Sequence, residues 1–167
     1  MKDKLFLLIG LIVILGSFYL FWNRPANKHY QPNYKATEEI PAPLLPKEGE
    51  RTLTIGDGTF IVEVAETEEE RSLGLSGRTT LPEGRGLFFI FEIPGKYGFW
   101  MKEMNFPIDI VWIDESWQVA GVERDVSPDS YPKIFYPVRA IKYVLELPAG
   151  TAAFKRIDVG SIVYLSD

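Results

Sequence analysis

Apolar residues follow two rhythms along this chain. Residues 5–22, LFLLIGLIVILGSFYLFW, run for 18 positions without a charge. As a helix, at 1.5 Å per residue, they reach about 27 Å, close to the hydrocarbon thickness of a bilayer. Lys2 and Lys4 precede the run, Arg24 and Lys28 follow it, and Tyr19 and Trp22 stand where interfacial aromatics belong. A core helix would carry a polar face, and this run has none. The pattern predicts a transmembrane signal-anchor over residues 5–22 behind a four-residue lead. No small-x-small cleavage site follows it; a cleaved secretory signal is the alternative. The flanking charges nearly tie. A first apolar segment after so short a lead places the remaining chain outside the cytoplasm.

Past residue 50 the rhythm shortens. Stretches 51–55, 59–65, 86–91, 97–102, 108–114, 118–122, 141–147 and 161–165 read as strands, several rich in β-branched or aromatic residues. Gly56-Asp57-Gly58 separates the first two as a hairpin turn. Thr67-Glu68-Glu69-Glu70 spells a capping box, which predicts a short helix ending near Gly74 or Gly77. Residues 151–155 read as a helical turn. Residues 125–137, with three prolines and three aromatics, read as an ordered Ω-type loop over one end of the sheet. Together these predict a mainly β (α+β) fold, a barrel- or sandwich-like sheet of about eight short strands with one or two short helices. Between anchor and domain, residues 23–50 carry Pro25, Pro32, Pro41, Pro43 and Pro46 and few aliphatics, a semi-extended linker.

Charge divides at the same place. Residues 1–47 hold 6 basic and 3 acidic side chains, net +3, which leaves 12 and 20, net −8, for residues 48–167. So acidic a domain is a poor partner for nucleic acid. The chain has no cysteine, and its one histidine, His29, lies in the linker. Thiolate chemistry and multi-histidine metal sites are thereby excluded, and no cofactor or metal motif is legible. Any proton transfer in the domain falls to carboxyls, lysine or tyrosine.

Candidate chemistry is sparse. Residues 97–102, Tyr-Gly-Phe-Trp-Met-Lys, alternate, so Phe99 and Met101 share one face and Trp100 and Lys102 the other. One reading is a core face with an amphipathic rim; the other is a binding face, Trp100 the platform and Lys102 the cationic handle. Asp109 and Glu146 each interrupt an apolar strand. A carboxyl there faces solvent, pairs with a cation or accepts several hydrogen bonds. Pairing with Arg71, Arg78, Arg85 or Lys102 is one reading. Two convergent carboxyls in a cleft, the equipment of a carboxylate-based hydrolase of envelope polysaccharide, is the other. Arg78 and Arg85, set among three glycines in residues 76–86, offer an anion-binding loop or an ordinary connection.

The domain also resembles a known family. Arg71-x-x-Gly74-Leu75-Ser76, Leu81-Pro82-x-x-x-Gly86-Leu87-Phe88-Phe89 and Phe99-Trp100-Met101-Lys102 are similar to the signature of domain of unknown function 192, an uncharacterised ancient conserved region of bacteria and archaea. Phe106-Pro107-Ile108-Asp109-Ile110, Tyr143-Val144-Leu145-Glu146-Leu147, Ala149-Gly150 and Ile157-Asp158-Val159-Gly160 continue the resemblance in order, from about residue 51 to the C-terminus. Ser76 and Leu87 stand where many members carry Met, and Arg156 where Gly is frequent. The resemblance implies a small β-rich fold, often behind a signal or anchor, with no established activity. The expectation for function is therefore a membrane-anchored, extracytoplasmic binding or accessory module. Its candidate surface is Trp100, Lys102, Arg78 and Arg85, and its ligand a small molecule, a glycan or a protein. The hydrolase built on Asp109 and Glu146 is the alternative.

Overall fold

The structure, a computed structural model, describes residues 46–166. The apolar run 5–22 and most of the linker lie outside these residues, so the predicted anchor has no structural counterpart here. Among the described residues no helix is long and apolar enough to cross a membrane.

Strands β1 (Glu50–Ile55) and β2 (Gly58–Ala65) form the predicted hairpin. Gly56 makes the turn at φ +54°, and a Cβ there would stand 2.4 Å from the Lys155 carbonyl oxygen. Only glycine lets the turn dock so closely. Helix α1 (Glu68–Leu73) follows, with the capping box in place: the Glu70 N–H donates to the Thr67 hydroxyl, and the Glu70 carboxylate accepts from the Thr67 N–H. Next come β3 (Arg85–Gly95), β4 (Phe99–Trp100), β5 (Ile108–Ile113), β6 (Val119–Val126), β7 (Ile134–Phe135), β8 (Ile141–Pro148), helix α2 (Thr151–Phe154) and β9 (Val163–Ser166).

Seven strands form one sheet in the order β6-β5-β8-β3-β2-β1-β9, antiparallel except for the β2–β3 pair. Its two edges meet where they begin, through a Gln118–Ile162 bridge and the Val119 N–H donating to Ser161 O. The sheet is thus curled into a half-barrel. One apolar cluster fills the inside of the curl; Leu53, Phe60, Val62, Phe88, Val111, Val119, Leu145 and Val163 join it from strands across the whole sheet. A second cluster lies on the outer face, where Leu87, Phe89, Phe91, Ile110 and Trp112 meet Leu75, Met101 and Phe135 from a covering layer.

That layer corrects two expectations. The predicted strand 97–102 contracts to Phe99–Trp100, which pairs with β7 in a separate two-stranded ribbon. The predicted Ω-loop 125–137 is the end of β6, a 3₁₀ turn (Pro128–Ser130) and β7 itself. Two residues of cross-strand pairing leave no periodicity for a sequence pattern to detect. The alternation still holds: Phe99 and Met101 pack into the outer cluster while Trp100 and Lys102 are exposed.

Candidate functional site

Sheet register places one row of side chains across the outer face. Glu50 pairs with Glu63, Glu63 with Leu87, Leu87 with Glu146 and Glu146 with Ile110. Directly paired residues point to the same side. Three glutamates thus share a line on a largely apolar surface, and two of them are matched by arginines. Arg85 pairs with Glu50, and Arg78 donates to both carboxylate oxygens of Glu63 at 2.7 and 2.9 Å. The pairing holds the Glu63 carboxyl below its ordinary value and raises Arg78 above its own. The proposed anion-binding loop is therefore occupied by the protein's own carboxylates, and these arginines pair with Glu50 and Glu63 rather than with Asp109 or Glu146.

Glu146 is the exception in the row. It is 6% exposed and accepts no hydrogen bond and forms no ion pair among the described residues. Burial pushes its carboxyl up to about 8, against the opposing field of Arg78. It borders a cavity of about 600 Å³ between the outer face of the sheet, α1 with the turn that follows it, and the arm joining β3 to β4. The walls are aromatic. Phe91 and Tyr97 stack at 3.7 Å, and Phe89 meets Phe99 edge-on at 5.0 Å. The Arg71 guanidinium lies 5.2 Å from the Phe91 ring centre while donating to the carbonyls of Glu66 and Ile90. Trp100, half exposed, borders the same cavity and meets Tyr131 edge-on at 6.2 Å. Glu68 and Glu92 add two more carboxyls to the lining.

Gly98 fixes this arm. A Cβ at that position would stand 2.6 Å from Ile134 Cγ2 and 2.7 Å from Tyr136 Cε1. Only a glycine lets the chain pass so near β7.

Asp109 plays a different part. In β5 it pairs with Leu147, so it faces the inside of the curl while Glu146 faces outward. The register across β5 and β6 explains its partners. Ile108 pairs with Val126 and Ile110 with Glu123, so β6 carries one extra residue there, with Asp125 at φ 52°. A bulge of this kind leaves an N–H outside the ladder. Asp109 Oδ1 accepts it at 2.8 Å, and Oδ2 accepts the Ala152 N–H of α2 at 2.7 Å, where the helix has no side-chain cap from Gly150. The residue is fully buried and structurally committed. The two-carboxylate hydrolase reading, which needs both groups in one cleft, is corrected: they lie on opposite faces of the sheet.

Of the four residues expected to bind, the structure brings Trp100 alone to the cavity. Lys102 is exposed outside the lining, 3.9 Å from Glu103, and its carbonyl accepts from the Ser76 hydroxyl. Leu75 and Phe89, which stand in the family-like motifs, line the site together with Phe91 and Met104, which no motif marks. Alternation from Leu87 places Phe89 and Phe91 on one face, but that this is Glu146's face follows only from the β3–β8 register.

Comparison with known proteins agrees with this architecture. The sequence matches the profile of DUF192, an uncharacterized ACR, over residues 51–165. The chain belongs to this family. None of the curated proteins matches the chain. Several solved chains resemble the DUF192 domain, among them these two. A candidate transcription regulator from Sinorhizobium meliloti is 23% identical, with a TM-score of 0.66 over 70% of this chain and 93% of that one. A protein of unknown function from Novosphingobium aromaticivorans is 27% identical, with a TM-score of 0.63 over 69% and 83%. At this identity the likeness speaks to the fold.

Proposed function

We propose that this DUF192 protein is a membrane-anchored, extracytoplasmic module that binds a small ligand without transforming it, in the cavity bordered by Glu146. One observation carries the reading: a nearly buried carboxyl without a partner borders an aromatic-walled cavity large enough for a small organic molecule. Unpartnered buried carboxyls are costly, and they concentrate where a ligand completes them. Apolar walls with a few polar groups are the ordinary make-up of small-molecule sites. Trp100 acts at the rim as the aromatic platform. Arg78 acts from behind, as the positive field on Glu146. No observation favours hydrolysis, since Asp109 is engaged elsewhere.

The test is a ligand-observed NMR screen of the full chain in detergent against small cationic, neutral and anionic aromatics and oligosaccharides. A hit is expected to weaken about tenfold in Trp100→Ala, a loss of about 1.4 kcal/mol, and to vanish in Ser72→Trp, which crowds the cavity from the exposed side of α1. Hits that bind both variants as they bind wild type, or no hits at all, would remove the site.

A further inference from the structure

The chemistry of the cavity narrows what it accepts. We infer that its ligand is an organic cation: an ammonium group seated on Glu146, carried on an apolar body that lies against Phe89, Phe99 and Trp100. The inference rests on the reading of this cavity as the binding site and names the ligand class for it.

Sign comes first. The lining holds three carboxyls, Glu68, Glu92 and Glu146, and one guanidinium, Arg71. Arg71 is already committed to the carbonyls of Glu66 and Ile90. An entering anion would meet no uncommitted cationic donor among the described lining residues, only the single O–H of a protonated Glu146, with Glu68 and Glu92 in the same lining. An ammonium meets three carboxyls. The walls suit it as well, because aromatic faces attract cations and Arg71 lies against Phe91 in that way. At about 600 Å³ the cavity far exceeds a bare ammonium ion, so the cation comes with an apolar body that fills the aromatic part.

The surroundings of Glu146 set how it responds. On the flanking strands its register partners are Leu87 and Ile110, neither of which titrates. From β2 comes Glu63, and from the turn after α1 comes Arg78, each held by the other. Glu68 and Arg71 from α1, Glu92 from β3 and Tyr97 from the arm line the same cavity. Arg78 is the one cation whose field on Glu146 is resolved, and burial outweighs it. With its carboxyl raised to about 8, Glu146 is mostly protonated at neutral pH. When the ammonium binds, the carboxyl O–H bond breaks and its proton goes to solvent. The carboxylate left behind pairs with the ammonium, and charge balances. Affinity then rises roughly tenfold per pH unit below the raised value and levels off above it.

Isothermal titration of the full chain in detergent tests this with three probes sharing a phenyl body: phenethylammonium, 2-phenylethanol and 3-phenylpropanoate. The ammonium is expected to bind at least tenfold more tightly than the alcohol, and the carboxylate not at all. Comparing phosphate with MOPS buffer near neutral pH is expected to show roughly one proton released per ammonium bound. Glu146→Gln keeps a neutral, isosteric group; it is expected to abolish the ammonium preference and the proton release. Proton release is read on wild type alone, so it stands even where the variant folds poorly. Equal affinity for ammonium and alcohol would overturn the charge selection and leave the cavity as a binding site. A preference that survives Glu146→Gln, or tighter binding of the carboxylate, would also overturn it. Silence from all three probes overturns the inference, whereas the binding reading is judged by the wider screen.

Discussion

Asp109 and Glu146 stand one step apart across the β5–β8 ladder, and burial treats them differently. Each oxygen of Asp109 accepts a backbone N–H that would otherwise be orphaned. Replacing it with asparagine presents an amide N–H₂ to one of those donors, leaving it unsatisfied in the core. Asp109→Asn is expected to cost about 3 kcal/mol in urea denaturation, the usual scale for breaking buried hydrogen bonds to a charged group. A loss under about 0.5 kcal/mol would remove its structural role. Glu146 has no such partners, and burial raises its carboxyl. The unfolded carboxyl titrates near its ordinary value of 4.5, and the folded one is pushed up to about 8. Between those values the folded state holds more protons. This contribution to stability is therefore full below about 4.5 and falls by roughly 1.4 kcal/mol per pH unit up to about 8. Glu146→Gln removes that slope. It is expected to match wild type near pH 5 and to exceed it near pH 8 by several kcal/mol on this scale, read from denaturation midpoints. Glu63, held low by Arg78, has the opposite sign: its contribution is present above its unfolded value and is lost as pH falls through its lowered one.

At the scale of elements, the covering layer is the delicate part. Gly98→Ala forces a methyl against Ile134 and Tyr136, and overpacking of this kind costs typically about 1–3 kcal/mol. The expected signature is faster amide exchange over residues 97–101 and 134–136, with the seven-stranded sheet unchanged; uniform protection would mean the arm tolerates the contact. The same layer is where sequence reading fell short. Alternation and β-branched content located the long strands because each buries a full face, and the Thr67–Glu70 capping box marked its helix because the motif is local. β4 and β7 are two residues each, held by register with one another and by burial over Phe89 and Phe91, and neither is a local property. Asp109 and Glu146 were legible as anomalies in apolar strands. Their roles were not, since a one-residue bulge in β6 and the order of the strands decide which face each occupies and what it meets.

For the whole molecule, the charge split and the apolar run at residues 5–22 support the proposed anchor, and the prediction is direct. The full chain is expected to stay in the membrane pellet after an alkaline wash, and a chain lacking residues 5–22 to move to the supernatant. Release of the intact chain by the wash would remove the anchor and leave a secreted domain. Intact cells treated with protease are expected to lose the domain while cytoplasmic markers survive, as an extracytoplasmic location requires.

The joined sheet edges bear on how such domains tolerate one another. Proteins confined to a surface meet at high local concentration, and a long, flat, unpaired strand edge then templates pairing with a neighbouring copy. Here β9 is four residues long, and β6 carries Glu123, Arg124 and a bulge at Asp125 along its outer margin. Arg124 reaches across to the Ile157 carbonyl and Asp158, so the segment leading into one edge strand is tied to the other. Among the described residues, neither edge of the seven-stranded sheet offers a long straight strand for a neighbouring copy to extend.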